Sequence, residues 1–159
     1  MIMIEPLQPP HLSALVAAHA AAPPGYSAYF QPFPFDEATL RRILERRRED
    51  LYYGVIWAGQ PAGLSMLRGF DQGYRVPSYG VWIAPAFSRR GLGRATLQHA
   101  VETCRARGCA QLMLKVHPLN TRARQMYERF GFVQAGVDPH NQNLIYRLTL
   151  GPAAHTDQV

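Results

Sequence analysis

With 159 residues, 47% of them apolar, the chain is long enough to bury one substantial core and too short for two of ordinary size, so a single domain over residues 1–150 is expected. Seventeen basic against eleven acidic side chains leave a formal charge of +6, which suits an anionic ligand without choosing among small molecule, nucleic acid and membrane surface. Two cysteines without paired histidines argue against zinc, no apolar stretch approaches the roughly 20 residues of a membrane span, and no basic-then-apolar leader is visible; the expectation is a cytoplasmic protein with reduced thiols and no metal.

Residues 1–7 read as a first strand and 11–22 as an alanine-rich helix closed by Pro23-Pro24-Gly25. The aromatic, proline-broken segment 26–35, which holds Tyr29 and Phe30, is neither helix nor regular strand; such a loop either packs on a core or forms a substrate lid. Asp36 caps a helix running to about Asp50, with Leu40, Ile43, Leu44 and Leu51 on its apolar stripe. Its five arginines, Arg41, Arg42, Arg46, Arg47 and Arg48, fall mostly off that stripe and read as a solvated face before they read as a nucleic-acid patch.

Two β-rich runs, 52–58 and 62–70, flank a hairpin signal at Gly59-Gln60-Pro61, and a turn over 71–77 leads into a third run at 79–84. After a glycine-rich turn, Leu97, Ala100, Val101 and Cys104 repeat at helical spacing up to Gly108. Residues 111–116 alternate as a strand. Asn120 then opens a helix to Phe130 with Ala123, Met126, Tyr127 and Phe130 on one stripe, a strand begins at 131–133, and 144–150 is the last. The tail from 151 is expected to be disordered. Strand–helix–strand in the second half gives an α/β sheet of mixed direction covered on both faces.

The turn Ser88-Arg89-Arg90-Gly91-Leu92-Gly93-Arg94 joins the end of a strand to the start of a helix. Unpaired N–H groups of a first helical turn bind phosphate, Gly91 and Gly93 permit close backbone approach, and Arg89, Arg90 and Arg94 add charge that is unfavourable there without an anion. Thr96 stands where a dinucleotide fingerprint needs its third glycine, and the Gly-Lys-Ser/Thr of a P-loop is absent. The turn reads as a pyrophosphate cradle, with an ordinary glycine-rich turn and solvated arginines as the alternative that a short Gly-x-Gly leaves open.

Three pieces together, Val81-Trp-Ile-Ala-Pro85, Arg90-Gly-Leu-Gly-Arg94 and Asn120-x-x-Ala123-x-x-x-Tyr127-x-x-x-Gly131-Phe132, resemble the GNAT superfamily of acetyl-CoA-dependent N-acetyltransferases. The resemblance covers about Ala62 to Phe132. It implies a mostly antiparallel sheet of about seven strands with about four helices on both faces, and acetyl-CoA as co-substrate. It implies further that Ser88 to Arg94 hold the pyrophosphate, that the main chains of Val81, Trp82 and Ile83 pair with pantetheine, and that Tyr127 protonates the departing thiolate. Ser88 departs from the Gln or Arg usual at its position. Asn120 matches a CoA-contacting asparagine but is equally a helix N-cap, and Tyr127 is equally a core residue.

Where several members carry a glutamate as general base, this chain has Lys115, which leaves His117, Asp71, Glu37 or a water relay. The expected acceptor is a primary amine of a small molecule or a protein N-terminus, bound by variable segments that include Tyr29, Phe30 and Asp71. A CoA-binding module without catalysis is the alternative that Lys115 suggests, and a nucleic-acid binder the one that the arginine-rich helix suggests. Neither nucleic acid nor membrane is expected as a partner; a homodimer is left open.

Overall fold

Pro9 and Pro10 lie inside the first turn of the first helix rather than before it, because first-turn N–H groups have no intrahelical partner and proline loses nothing there. The computed structural model describes residues 1–151, and over them strand β1 (Ile2–Pro6) runs into this helix, α1 (Pro9–Ala20), which is followed by α2 (Glu37–Arg46). Between the helices the aromatic segment forms turns with no helix or strand. Beyond Gly151, the tail expected to be disordered lies outside the described residues.

Asp36 caps α2 through the Thr39 N–H at 2.7 Å, yet the helix ends at Arg46 instead of reaching Asp50. Asp71 is the cause. Its carboxylate accepts the N–H groups of Arg48, Glu49 and Asp50, and the Asp50 carboxylate in turn accepts those of Gly69 and Asp71. Donors that would have continued the helix are captured by a loop distant in sequence.

The remaining elements are β2 (Leu51–Trp57), β3 (Gln60–Arg68), β4 (Ser78–Ile83), α3 (Leu92–Ala106), β5 (Gln111–Val116), α4 (Thr121–Phe130), β6 (Val133–Val137) and β7 (Leu144–Thr149). The seven strands lie in the order β1-β2-β3-β4-β5-β7-β6, antiparallel throughout except between β4 and β5. The β2–β3 hairpin turns on Ala58 and Gly59, at φ 49° and 83°, a pair of positive angles that suits a two-residue turn. Pro61, expected in that turn, therefore sits within β3 opposite Ile56, beside the register shift at Val55/Ile56 where a missing N–H is tolerated.

Alternation along β3 divides the core. Leu64 and Met66 pack with Leu12, Leu15 and Leu40 of α1 and α2, whereas Leu67 packs with Leu97, Ala100, Val101 and Cys104 of α3 and with Tyr127 of α4. Helices thus cover both faces, and α3 and α4 share the cluster that also holds Tyr79, Leu114 and Tyr146.

The amide of Glu49 foremost, with those of Arg48 and Asp50, holds the Asp71 carboxyl below its ordinary value of 3.8. A depressed folded pKa contributes stability above the unfolded value, and that contribution is lost as pH falls through the folded one. Asp71→Asn is expected to lower the thermal midpoint at pH 7 and to flatten its decline below about pH 4. Circular dichroism melts across pH test this, and an acid limb parallel to wild type would remove Asp71 from the role.

Candidate active site

Strands β4 and β5 pair at Ser78 with Met113 and at Tyr79 with Leu114, and beyond those pairs they part. What faces the gap is decided by alternation along β4. The Ala84 N–H donates to the Ala62 carbonyl at 2.8 Å, so Trp82 and Gly80, in phase with it, also turn their main chains to β3, while Val81 and Ile83 turn theirs into the gap. The Ile83 carbonyl accordingly accepts the Tyr26 hydroxyl at 2.7 Å. Of the three main chains expected to meet a ligand, Trp82's is thus turned away; its buried indole packs near Phe35 and His19 and donates to Ser27 Oγ at 2.9 Å.

At one end of the gap lies the N-terminus of α3. Gly91 is its N-cap at φ 76°, and Arg89 also adopts a left-handed φ of 61°, which for a residue with a Cβ costs on the order of 1 kcal/mol. The cleft that starts here has a volume of about 800 Å³ and is lined by Arg89, Arg94, Lys115, Arg122 and Arg129 with no Asp or Glu. A helix N-terminus and several arginines in one cleft without a lining carboxylate suit an anionic ligand such as a phosphate. Arg90, by contrast, does not line it: its guanidinium lies over the Trp57 and Phe87 rings at 5.2 and 5.6 Å. Ser88 closes the loop by donating to the Pro85 carbonyl at 2.9 Å, and the Leu92 side chain is buried against Val55 and Ala62. Gly93 lines the cleft beside Met126.

Arg122 and Arg129 were not singled out from the sequence. Their spacing of seven on α4, along the stripe of Met126, was the available signal.

Asn120 holds the N-cap position of α4, but its side chain makes no capping bond and lines the cleft, so the capping alternative does not hold. Tyr127 is buried between the Phe132 and Tyr146 rings and also lines the cleft. Burial pushes its phenol up to about 12. Among the described residues no buried polar side-chain atom lacks a partner and the Tyr127 hydroxyl has none, so that hydroxyl opens to the cleft.

Lys115 binds the buried Asp138 at 2.9 Å, and that hydrogen bond, with the His140 amide, holds the Asp138 carboxyl low. His117 accepts the Leu119 N–H on Nδ1 at 3.1 Å while its ring stacks on Tyr29 at 4.6 Å. A neutral ring so held carries its proton on Nε2 and has no lone pair to spare, which argues against the expected base role. Glu37 is paired with Arg41 on α2, and Asp71, expected near the acceptor, is occupied by three amides away from the cleft. Tyr29 and Phe30 do line the cleft.

Residues 16–132 match the model of the acetyltransferase (GNAT) family. The chain belongs to this family. A curated relative, streptothricin acetyltransferase of Streptomyces lavendulae, is 30% identical over 93 residues, 52% of this chain and 47% of the relative. The ribosomal protein bS18-alanine N-acetyltransferase of Escherichia coli K12 is 37% identical over 59 residues, 37% of this chain and 40% of that one. The chain thus spans under half the length of these curated relatives. A crystal structure of a ribosomal-protein-alanine N-acetyltransferase from Brucella melitensis aligns with a TM-score of 0.78 at 20% identity, covering 93% of this chain and 99% of that one, and shows the shared GNAT fold. Among the described residues no helix is long and apolar enough to cross a membrane.

GNAT acetyltransferases use acetyl-CoA, and the cleft fits it: a cationic mouth without carboxylates, then a strand edge with free main-chain groups. A Cβ built on Gly91 meets no protein atom, so a larger residue suffers from the positive φ and fills the space before the helix end. Gly91→Val is expected to weaken CoA binding by about tenfold or more. A folded variant with wild-type affinity by calorimetry would overturn the cradle.

Proposed function

We propose that this protein is an N-acetyltransferase that moves the acetyl group of acetyl-CoA directly to a primary amine, on a small molecule or a protein N-terminus. The observation that carries the reading is the parting of β4 from β5, which leaves the Val81 and Ile83 main chains on a path from the α3 N-terminus to the Tyr127 hydroxyl. Arg89, Arg94, Arg122, Arg129 and the first-turn amides of α3 hold the phosphates, with Asn120 alongside. The Val81 and Ile83 N–H groups are the donors available to negative charge developing on the thioester oxygen. A neutral amine forms the C–N bond as the C–S bond breaks. The electron pair leaves on sulfur, which takes the Tyr127 hydroxyl hydrogen; water takes up the amine's excess proton and restores the one Tyr127 has given. Tyr127→Phe is expected to keep CoA affinity within a few-fold and to lower turnover by on the order of 10² or more; a variant as fast as wild type would leave Tyr127 a core residue.

No carboxylate lines the cleft and His117 has no free lone pair, so the acceptor must arrive largely deprotonated. At pH 7 a lysine-like amine of pKa about 10.4 gives up its proton against roughly 4.6 kcal/mol, an α-amine near 7.8 against about 1. We infer that α-amines or amino sugars are accepted over lysine side chains and polyamines. The relatives named for an alanine of a ribosomal protein and for streptothricin keep both protein and small-molecule acceptors in play. Mass-spectrometric detection of acetylated product across amino acids, amino sugars, polyamines and peptide N-termini, at pH 7 and pH 9, tests the reading. A polyamine preferred at pH 7 would overturn the acceptor assignment, and absence of any turnover by a chain that binds CoA would favour a binding module.

A further inference from the structure

The two halves of the cleft, the β4 edge and the α3 N-terminus, are joined in sequence by the short loop 84–91, which contains the left-handed Arg89 and Gly91. A loop with two such residues fixes its own turns but not the angle at which the helix leaves it. Among the described residues one side-chain hydrogen bond crosses directly from β4 to α3: the Tyr79 hydroxyl lies 2.8 Å from Thr96 Oγ1. Thr96 has a single hydroxyl hydrogen, and its oxygen lies 3.0 Å from the Leu92 carbonyl and 2.9 Å from that of Gly93. With that hydrogen spent on the helix's own first turn, Tyr79 is the donor in the strand-to-helix bond. Both groups are buried, Thr96 fully. Tyr79 is also the last residue of β4 to pair with β5, so its ring stands at the fork where the cleft opens.

Resting on the reading of α3 as the phosphate cradle, we propose that Tyr79 and Thr96 act as positioning residues: their hydrogen bond sets the α3 first turn, and with it the phosphate-binding amides, against the β4 edge. The same Thr96 occupies the position at which a dinucleotide fingerprint would have its third glycine. Here the helix is brought to the sheet by a hydroxyl contact instead of by a small residue. The ring of Tyr79 packs in the cluster of Leu67, Leu97 and Leu114, so Tyr79→Phe keeps the packing and removes the bond alone.

The test compares CoA with pantetheine, which has the arm but neither pyrophosphate nor nucleotide, as probes of binding to the full chain. Tyr79→Phe and Thr96→Val are each expected to weaken CoA about five- to tenfold and to leave pantetheine affinity by NMR titration unchanged. The double variant should be no worse than the more affected single one, and Thr96→Ser, which keeps the hydroxyl, should bind CoA as wild type does. Equal losses for CoA and pantetheine, additive losses, or a Thr96→Ser variant as weak as Thr96→Val would overturn the inference. CoA affinity unchanged in both single variants would overturn it while leaving the cradle standing; failure of wild type to bind CoA would overturn both.

Discussion

Two residue pairs hold β4 to β5, and what the cleft can do follows from the strands parting after them. A main-chain N–H or carbonyl left without a partner away from water costs on the order of 1–3 kcal/mol. Val81 and Ile83 present such groups on a strand edge that a continuous sheet would have covered. The fold tolerates the opening because each strand stays fully paired on its other side, β4 to β3 and β5 to β7. Tyr26 covers the Ile83 carbonyl from the aromatic segment, and Tyr29 of the same segment stacks on His117 past the end of β5. One loop thereby touches both walls of the gap, which is how a segment without helix or strand becomes part of a site.

The order of elements was legible because each carried its own local signal: the glycines that start α3, the apolar stripe of α4, the alternation of β5. Local signals do not report partners distant in the chain. Asp71 looked available as a charge beside the acceptor, yet three amides from a segment more than twenty residues away hold it, and the same contact ends α2 early. Trp82 was placed with Val81 and Ile83 because the motif contains all three. Which of them turns outward depends on the phase of pairing with β3, which no motif encodes. Arg90 was grouped with its neighbours for the same reason, and it is Trp57, on another strand, that draws it off the cleft. Pro61 shows the converse, since a residue that locally signals a turn sits in a strand where a register shift admits it.

The distribution of charge around the cleft bears on the acceptor as well as on the donor. Arg89, Arg94, Arg122 and Arg129 create a positive potential with no lining carboxylate to offset it, whereas the charge of Lys115 is paired with Asp138. Such a potential attracts a polyanion and opposes entry of an ammonium ion. It also lowers the pKa of an amine that has entered, because the neutral form is the one not repelled. On the proposed function, both effects would select against acceptors of high basicity, and they would compound as the number of ammonium groups rises. With Lys115 paired to Asp138, the proposed preference for a weakly basic amine rests on the arginines.

Burial of Tyr127 bears on the role proposed for it. From an ordinary phenol near 10 to a thiolate near 8.5, complete transfer of a proton is uphill by roughly 2 kcal/mol. With the phenol pushed up to about 12, the same transfer would cost roughly 5. The comparison is incomplete, because the thiolate would form in the same desolvated place, and burial raises a thiol by the same physics that raises a phenol. The gap between the two groups then depends on which of them is better hydrogen-bonded as an anion. The Tyr127 oxygen accepts no hydrogen bond from a described residue, whereas a sulfur beside Tyr127 would have the phenol itself. That asymmetry favours leaving the negative charge on sulfur with the phenolic hydrogen bonded to it, full transfer following only as product leaves. A phenol held near 12 stays neutral throughout the pH range in which an α-amine titrates, so on the proposed mechanism the rise of rate with pH would belong to the acceptor, with no opposing limb from this tyrosine.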